Sequence, residues 1–117
     1  MKTIRTLLSA VALAAMATGA HAGGNAERGK AAVEKYACAS CHGADFNTPS
    51  DPAYPRLANQ HPDYIEHALK GYKNPTNPAF GRQNAIMQGF AGQLSAQDIK
   101  DIAAYLSSLP GQLVTRK

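Results

Sequence analysis

The sequence predicts an all-α domain of about four helices joined by long connections. Apolar residues recur at helical spacing near both ends and in the middle of the chain, whereas no stretch of useful length alternates apolar and polar residues as a half-buried strand would. Six of the seven prolines fall between Pro49 and Pro78, so the links between helical stretches are long and rich in turns. Loops this extended in a compact domain need something to wrap around.

Composition narrows the classes further. The chain has 117 residues, 44% of them apolar and 17% charged, with two cysteines and a formal net charge of +4. One small domain fits; a disordered polyelectrolyte or a disulfide-stapled mini-protein does not. A domain of this size buries little more than about 60% of its unfolded surface, so it calls for a metal, a disulfide or a cofactor.

Residues 1–22 read as a cleaved secretory signal peptide. Lys2 and Arg5 make a positive start, Leu7 to Ala17 is an uncharged, largely apolar stretch, and Ala20-His21-Ala22 is a small-x-small cleavage site. The apolar stretch is well short of the roughly 20 residues that span a bilayer, so no stable membrane insertion is expected after cleavage. The remaining domain, 23–117, loses two of the four net positive charges with Lys2 and Arg5. Nucleic acid is therefore not an expected partner, and the expected location is the bacterial periplasm.

The helices follow in order. Asn25 is a suitable N-cap for a helix from Ala26 to about Tyr36, with Glu27 in its first turn. His61-Pro62-Asp63 opens a second, with Ile65, Ala68, Leu69 and Tyr72 on one face. Asn84 to about Gln88 makes a short turn. Ser95 to Asp98 has capping-box character, and Ile99, Ile102, Ala103 and Leu106 then form an apolar stripe that Pro110-Gly111 ends.

Cys38-Ala39-Ser40-Cys41-His42 carries the chemistry. C-x-x-C-H is the attachment signature of a c-type haem: two thiols set apart to meet two vinyl groups of one porphyrin, and a histidine drawn beneath the iron. A redox dithiol would call for a preceding strand, but the preceding segment reads as helix. A zinc site would have to recruit His61 or His67 without a second cysteine pair. A disulfide would close a very short loop and contribute little. Haem c, one group held through Cys38 and Cys41, accounts for both cysteines.

With His42 as one axial ligand to the metal, a second is needed. Met1 and Met16 leave with the signal, so Met87 is the one thioether that remains. It stands after the proline-rich loops and before the last helix, so the chain can pass from one haem face to the other. His61 and His67 compete, the first at a helix start, the second on the middle helix between Glu66 and Ala68.

Cys38 to Gly43, Tyr54-Pro55-Arg56-Leu57-Ala58-Asn59-Gln60, Asn84-Ala85-Ile86-Met87, Leu94-Ser95 and Ile102 to Leu106 together resemble a class I c-type cytochrome. The likeness is to small soluble bacterial proteins that correspond to a single half of the cytochrome c4 type. It implies an all-helical shell, the first and last helices crossing where Gly29 meets an aromatic such as Tyr105. It also implies that the Pro55 carbonyl accepts a hydrogen bond from His42, that Leu57 packs on the haem, and that Arg82 or a nearby Tyr or Asn meets a haem propionate. Val33 stands where the family often has an aromatic, and Tyr36 comes later.

Iron held by His and Met has no open position, so the expected function is that of a periplasmic one-electron carrier rather than an enzyme, and a monomer. A haem subunit of a larger periplasmic oxidoreductase is the alternative, ahead of a haem enzyme or gas sensor. The resemblance implies redox-protein partners: a quinol oxidoreductase, a terminal oxidase or a periplasmic reductase.

Overall fold

The computed structural model describes residues 23–114; the signal-peptide reading of 1–22 lies outside them. Among the described residues there are five helices and no strand: α1 (Ala26–Lys35), α2 (Ala39–His42), α3 (Pro62–Lys73), α4 (Ala85–Ala91) and α5 (Ala96–Ser108). The expected all-α class holds. The additional helix is α2, a single turn over the cysteine motif.

Capping explains where the longer helices start. The Asn25 side chain accepts from Arg28 N, and Ser95 and Asp98 form a reciprocal capping box at the head of α5. Pro62 stands in the first turn of α3, where its missing N–H has no intrahelical partner to lose. The expected boundaries shift slightly. Tyr36 is the C-cap of α1, its N–H donating to Ala32 O while Ala37 N donates to Glu34 O, and α5 stops at Ser108, before the proline.

Helices α1 and α5 cross at close range. A Cβ at Gly29 would collide with the Asp101 carbonyl and come within 2.7 Å of Tyr105 Cβ, so only glycine admits this approach. Val33 is buried beside it, and Tyr36, one turn on, reaches Asp98 Oδ2 at 3.3 Å. Tyr36 thus links α1 to the first turn of α5.

Asp101 is 4% exposed and fully engaged. It accepts from Asn25 N at 2.7 Å, from Arg28 Nε at 2.8 Å and from Gln97 Nε2 at 2.9 Å. The Arg28 guanidinium and these donors hold its carboxyl down to about 2. A buried carboxylate is tolerable only with such partners, and these tie the head of α1 to the middle of α5.

Loops close the rest. Phe46 is buried with φ +55°, its carbonyl accepts from Leu57 N at 2.8 Å, and its ring meets Tyr105 edge-on at 6.2 Å. Asn59 N donates to Leu106 O at 3.0 Å, which lays the proline-rich loop against α5. The core of Val33, Phe46, Ile65, Leu94, Ile99, Ile102 and Leu106 joins α1, α3 and α5 to these loops, and Ile65, Leu94, Ile102 and Leu106 also line a cavity.

Candidate functional site

The cavity, of about 300 Å³, lies between α2, α3, α4 and the 53–60 loop, over Ile102 and Leu106 of α5. Its wall is mostly apolar: Leu57, Ile65, Leu69, Phe90 and Leu94 face it.

Helix α2 delivers the motif. Cys38 is its N-cap in αR geometry, so Cys38 and Cys41 lie about one turn apart, and both, with His42, line the cavity. Both thiols are free, and burial pushes the Cys38 thiol up from its ordinary pKa. The Ser40 hydroxyl donates to Ala37 O at 2.7 Å and secures the turn.

His42 is 7% exposed, and its Nδ1 lies 2.9 Å from the Pro55 carbonyl oxygen. A carbonyl only accepts, so Nδ1 carries the hydrogen and Nε2 keeps its lone pair. This is the tautomer that a metal needs, and the backbone of the 53–60 loop selects it. The Tyr54 ring stands 6.4 Å away and limits how the imidazole can turn.

Helix α4 brings Met87 to the cavity. The Asn84 side chain caps this helix by accepting from Met87 N at 3.0 Å, so the cap acts directly on the residue that carries the thioether. At the other end Lys73 Nζ, from α3, donates to Gly92 O at 3.3 Å and to Leu94 O. The short Asn84 turn expected from sequence is thus a seven-residue helix pinned at both ends. His61 and His67 are not among the lining residues: His61 is the N-cap of α3, and His67 is exposed with its ring 5.9 Å from Phe80.

A haem asks for a flat apolar enclosure, thiols for its vinyls, ligands for its iron and cations for its carboxylates. The cavity offers all four: an apolar wall, Cys38 with Cys41, His42 with Met87, and the two arginines Arg56 and Arg82. The residues present fit the group. Leu57 lines the wall as expected, and Arg82 reaches it between Tyr64 and Tyr72, a grouping the sequence suggested only as one option. The two clamps on α4 escaped sequence reading. Asn84 offered the familiar signal of an N-cap; Lys73 offered none, because its acceptors lie 19 and 21 residues away.

Known proteins point the same way. The profile of the family described as Cytochrome c matches residues 26–110. Cytochrome c4 of Stutzerimonas stutzeri is 38% identical over 116 residues, which is 96% of this chain and 52% of that protein. The thiosulfate dehydrogenase electron acceptor of Stutzerimonas stutzeri strain A1501 is 32% identical over 113 residues, covering 94% of this chain and 50% of that one. The crystal structure of reduced recombinant cytochrome c4 from Pseudomonas stutzeri superposes with a TM-score of 0.67 at 37% identity, over 77% of this chain and 48% of that chain. The chain spans about half the length of the curated cytochrome c4 relatives that it matches.

Proposed function

We propose that this chain, which belongs to the cytochrome c family as a class I c-type cytochrome domain, is a periplasmic one-electron carrier with His42 and Met87 as axial ligands of a single haem. The family binds a covalently attached c-type haem, and the Cys38–Cys41 pair fits its attachment motif. The haem, when bound, supplies one iron centre that cycles between ferrous and ferric.

In this reading the chain's own residues supply attachment, ligation and exclusion of water. Cys38 and Cys41 would hold the haem through addition of their S–H groups across its two vinyls, which needs no leaving group. His42 gives Nε2 while the Pro55 carbonyl holds its Nδ1–H, and Met87 gives its sulfur from a helix that Asn84 and Lys73 keep in place. With His42 and Met87 both holding the iron, an electron would come and go with little rearrangement. The thioether and the apolar wall favour the ferrous form and raise the potential.

The observation that supports this best is the His42–Pro55 bond at 2.9 Å, which leaves Nε2 available in a cavity that Met87 also lines. The purified oxidised protein should show the long-wavelength methionine-to-iron band, and Met87→Ala should lose it while keeping its covalent haem. A parent spectrum without that band, or a variant spectrum unchanged from the parent, overturns the ligand assignment.

A second reading, a haem subunit of a larger periplasmic oxidoreductase, draws on the relative named for accepting electrons from thiosulfate dehydrogenase. Gel filtration of native extract separates the two, since a free carrier elutes near its monomer mass. Redox proteins are the expected partners in either case, with a quinol oxidoreductase, terminal oxidase or periplasmic reductase as candidates. Among the described residues no helix is long and apolar enough to cross a membrane. N-terminal sequencing of periplasmic protein, expected to begin at Gly23, tests export and the 1–22 signal together.

A further inference from the structure

The chain does not leave α5 into open solvent. Leu109, the C-cap, packs on the core, and the segment 110–113 then lies against the stretch 43–60 between α2 and α3. Two half-buried asparagines fasten it there. Asn47 Nδ2 donates to Pro110 O at 2.9 Å while Asn47 Oδ1 accepts from Gln112 N at 3.1 Å, so one amide bridges two residues of the segment. Asn59 Nδ2 donates to Leu113 O at 2.9 Å. Between these bonds, a Cβ at Gly111 would collide with the Ala58 carbonyl and come within 2.9 Å of Asn59 Cβ, so only glycine lets the segment lie this close.

Asn47 also reaches toward the cavity. Asp45 builds the turn that presents it, its carboxylate accepting from Asn47 N at 2.9 Å and from Thr48 N at 2.8 Å. The Asn47 carbonyl then accepts from Arg56 Nε at 2.8 Å, next to the Phe46 carbonyl that takes Leu57 N and Ala58 N. Arg56 shares a rigid peptide plane with the Pro55 carbonyl, and that carbonyl is the oxygen 2.9 Å from His42 Nδ1. Where Arg56 is anchored therefore bears on where the Pro55 carbonyl points. Its side-chain anchor is the same residue that grips the segment after α5.

We propose that Asn47 is a positioning residue for His42: by clamping the segment 110–113 to the stretch that carries Arg56, it keeps the Pro55 carbonyl aimed at His42 Nδ1. The inference rests on His42 holding the haem iron and is independent of Met87. Through the clamp, the end of α5 reaches an imidazole that it does not touch. Without it the carbonyl drifts from Nδ1, and an imidazole that has lost its acceptor is a weaker donor to ferric iron, so the potential rises. If the Phe46 bonds alone held the carbonyl, the segment would serve overall stability and nothing else.

Hydrogen exchange followed by NMR in the reduced holoprotein separates the two cases, with the Ile102 amide of α5 as the internal reference for global opening. Asn47→Ala should speed exchange of His42 Nδ1–H about tenfold relative to that amide, roughly the net worth of one hydrogen bond, and raise the potential. Gly111→Ala, which pushes the segment off Ala58 and leaves Asn47 in place, should act in the same way. The double variant should exceed neither single one, because both undo one clamp. Asn59→Gly keeps the positive φ of that position and loses only the bond to Leu113; it should give a smaller acceleration, and it carries the test if Asn47→Ala fails to retain haem. A ratio equal to the parent's in whichever of these retains haem, or single effects that multiply in the double variant, overturns the proposal. If the His42 ring protons still show the shift of an imidazole held over a porphyrin in that case, the His42 assignment stands and only the clamp falls.

Discussion

At the α1–α5 crossing helix meets helix, with Gly29 against the Asp101 carbonyl and buried Ile99, Ile102 and Val33 around it. Across the cavity from it, α2, α4 and the 53–60 loop are held largely by hydrogen bonds, among them Ser40 to Ala37, His42 to Pro55, Met87 N to Asn84 and Lys73 to the end of α4. The crossing completes its own packing. The other wall faces a cavity, and the haem that belongs there completes it. A domain of this size can therefore divide the task, one half folding as protein on protein and the other as protein on cofactor.

Removing the cofactor's attachment should separate the two regions most strongly. Cys38→Ala with Cys41→Ala is expected to abolish covalent haem and with it cooperative unfolding of the holo domain. Calorimetry together with haem staining measures both, and a sharp, parent-like transition without haem would show that the cavity wall stands alone. Next in size, Gly29→Val drives a branched side chain into the Asp101 backbone and should cost about 3 kcal/mol, read as a lower denaturant midpoint with haem still attached. A midpoint equal to the parent's would mean that the crossing is looser than its geometry.

Acid sharpens the comparison. Asp101 is held down to about 2 in the folded protein, below its ordinary 3.8. The stability this supplies is present in full above about pH 5 and drains as pH falls through the folded value. Asp101→Asn should therefore be less stable at neutral pH and lose less on acidification than the parent. Equal acid limbs in denaturation at several pH values would exclude Asp101 as the group responsible.

The smallest effect is the most local. Asn84→Ala removes the cap that touches Met87 N and should cost about 1 kcal/mol, while Asn84→Asp, which can also cap, recovers most of it. If Met87 ligates the iron as proposed, displacement of its sulfur by added imidazole should become easier in the first variant and not in the second. Unchanged imidazole binding in both would detach the cap from the ligand.

The same contrast decides what could be read from sequence. Caps and stripes are local, so Asn25, Pro62, Ser95 with Asp98, and the Ile99–Leu106 face were legible, as was the pairing of Gly29 with Tyr105 once the family likeness was seen. Helix α2 was not, because four residues are too few to show a period. The cavity wall depends on contacts between distant residues: Arg82 across Gly71 to two tyrosines, and Lys73 onto carbonyls beyond Met87. Sequence offered Cys38, Cys41, His42 and Met87 as chemistry, and only the fold reveals what holds them.

Spectroelectrochemical titration of the purified holoprotein tests the central claim most directly. The account predicts a single one-electron step, with the methionine-to-iron band of the oxidised form vanishing in proportion to reduction, and a reduced form that does not take up carbon monoxide without denaturant. Rapid carbon monoxide binding, or a titration in which that band never appears, would contradict it.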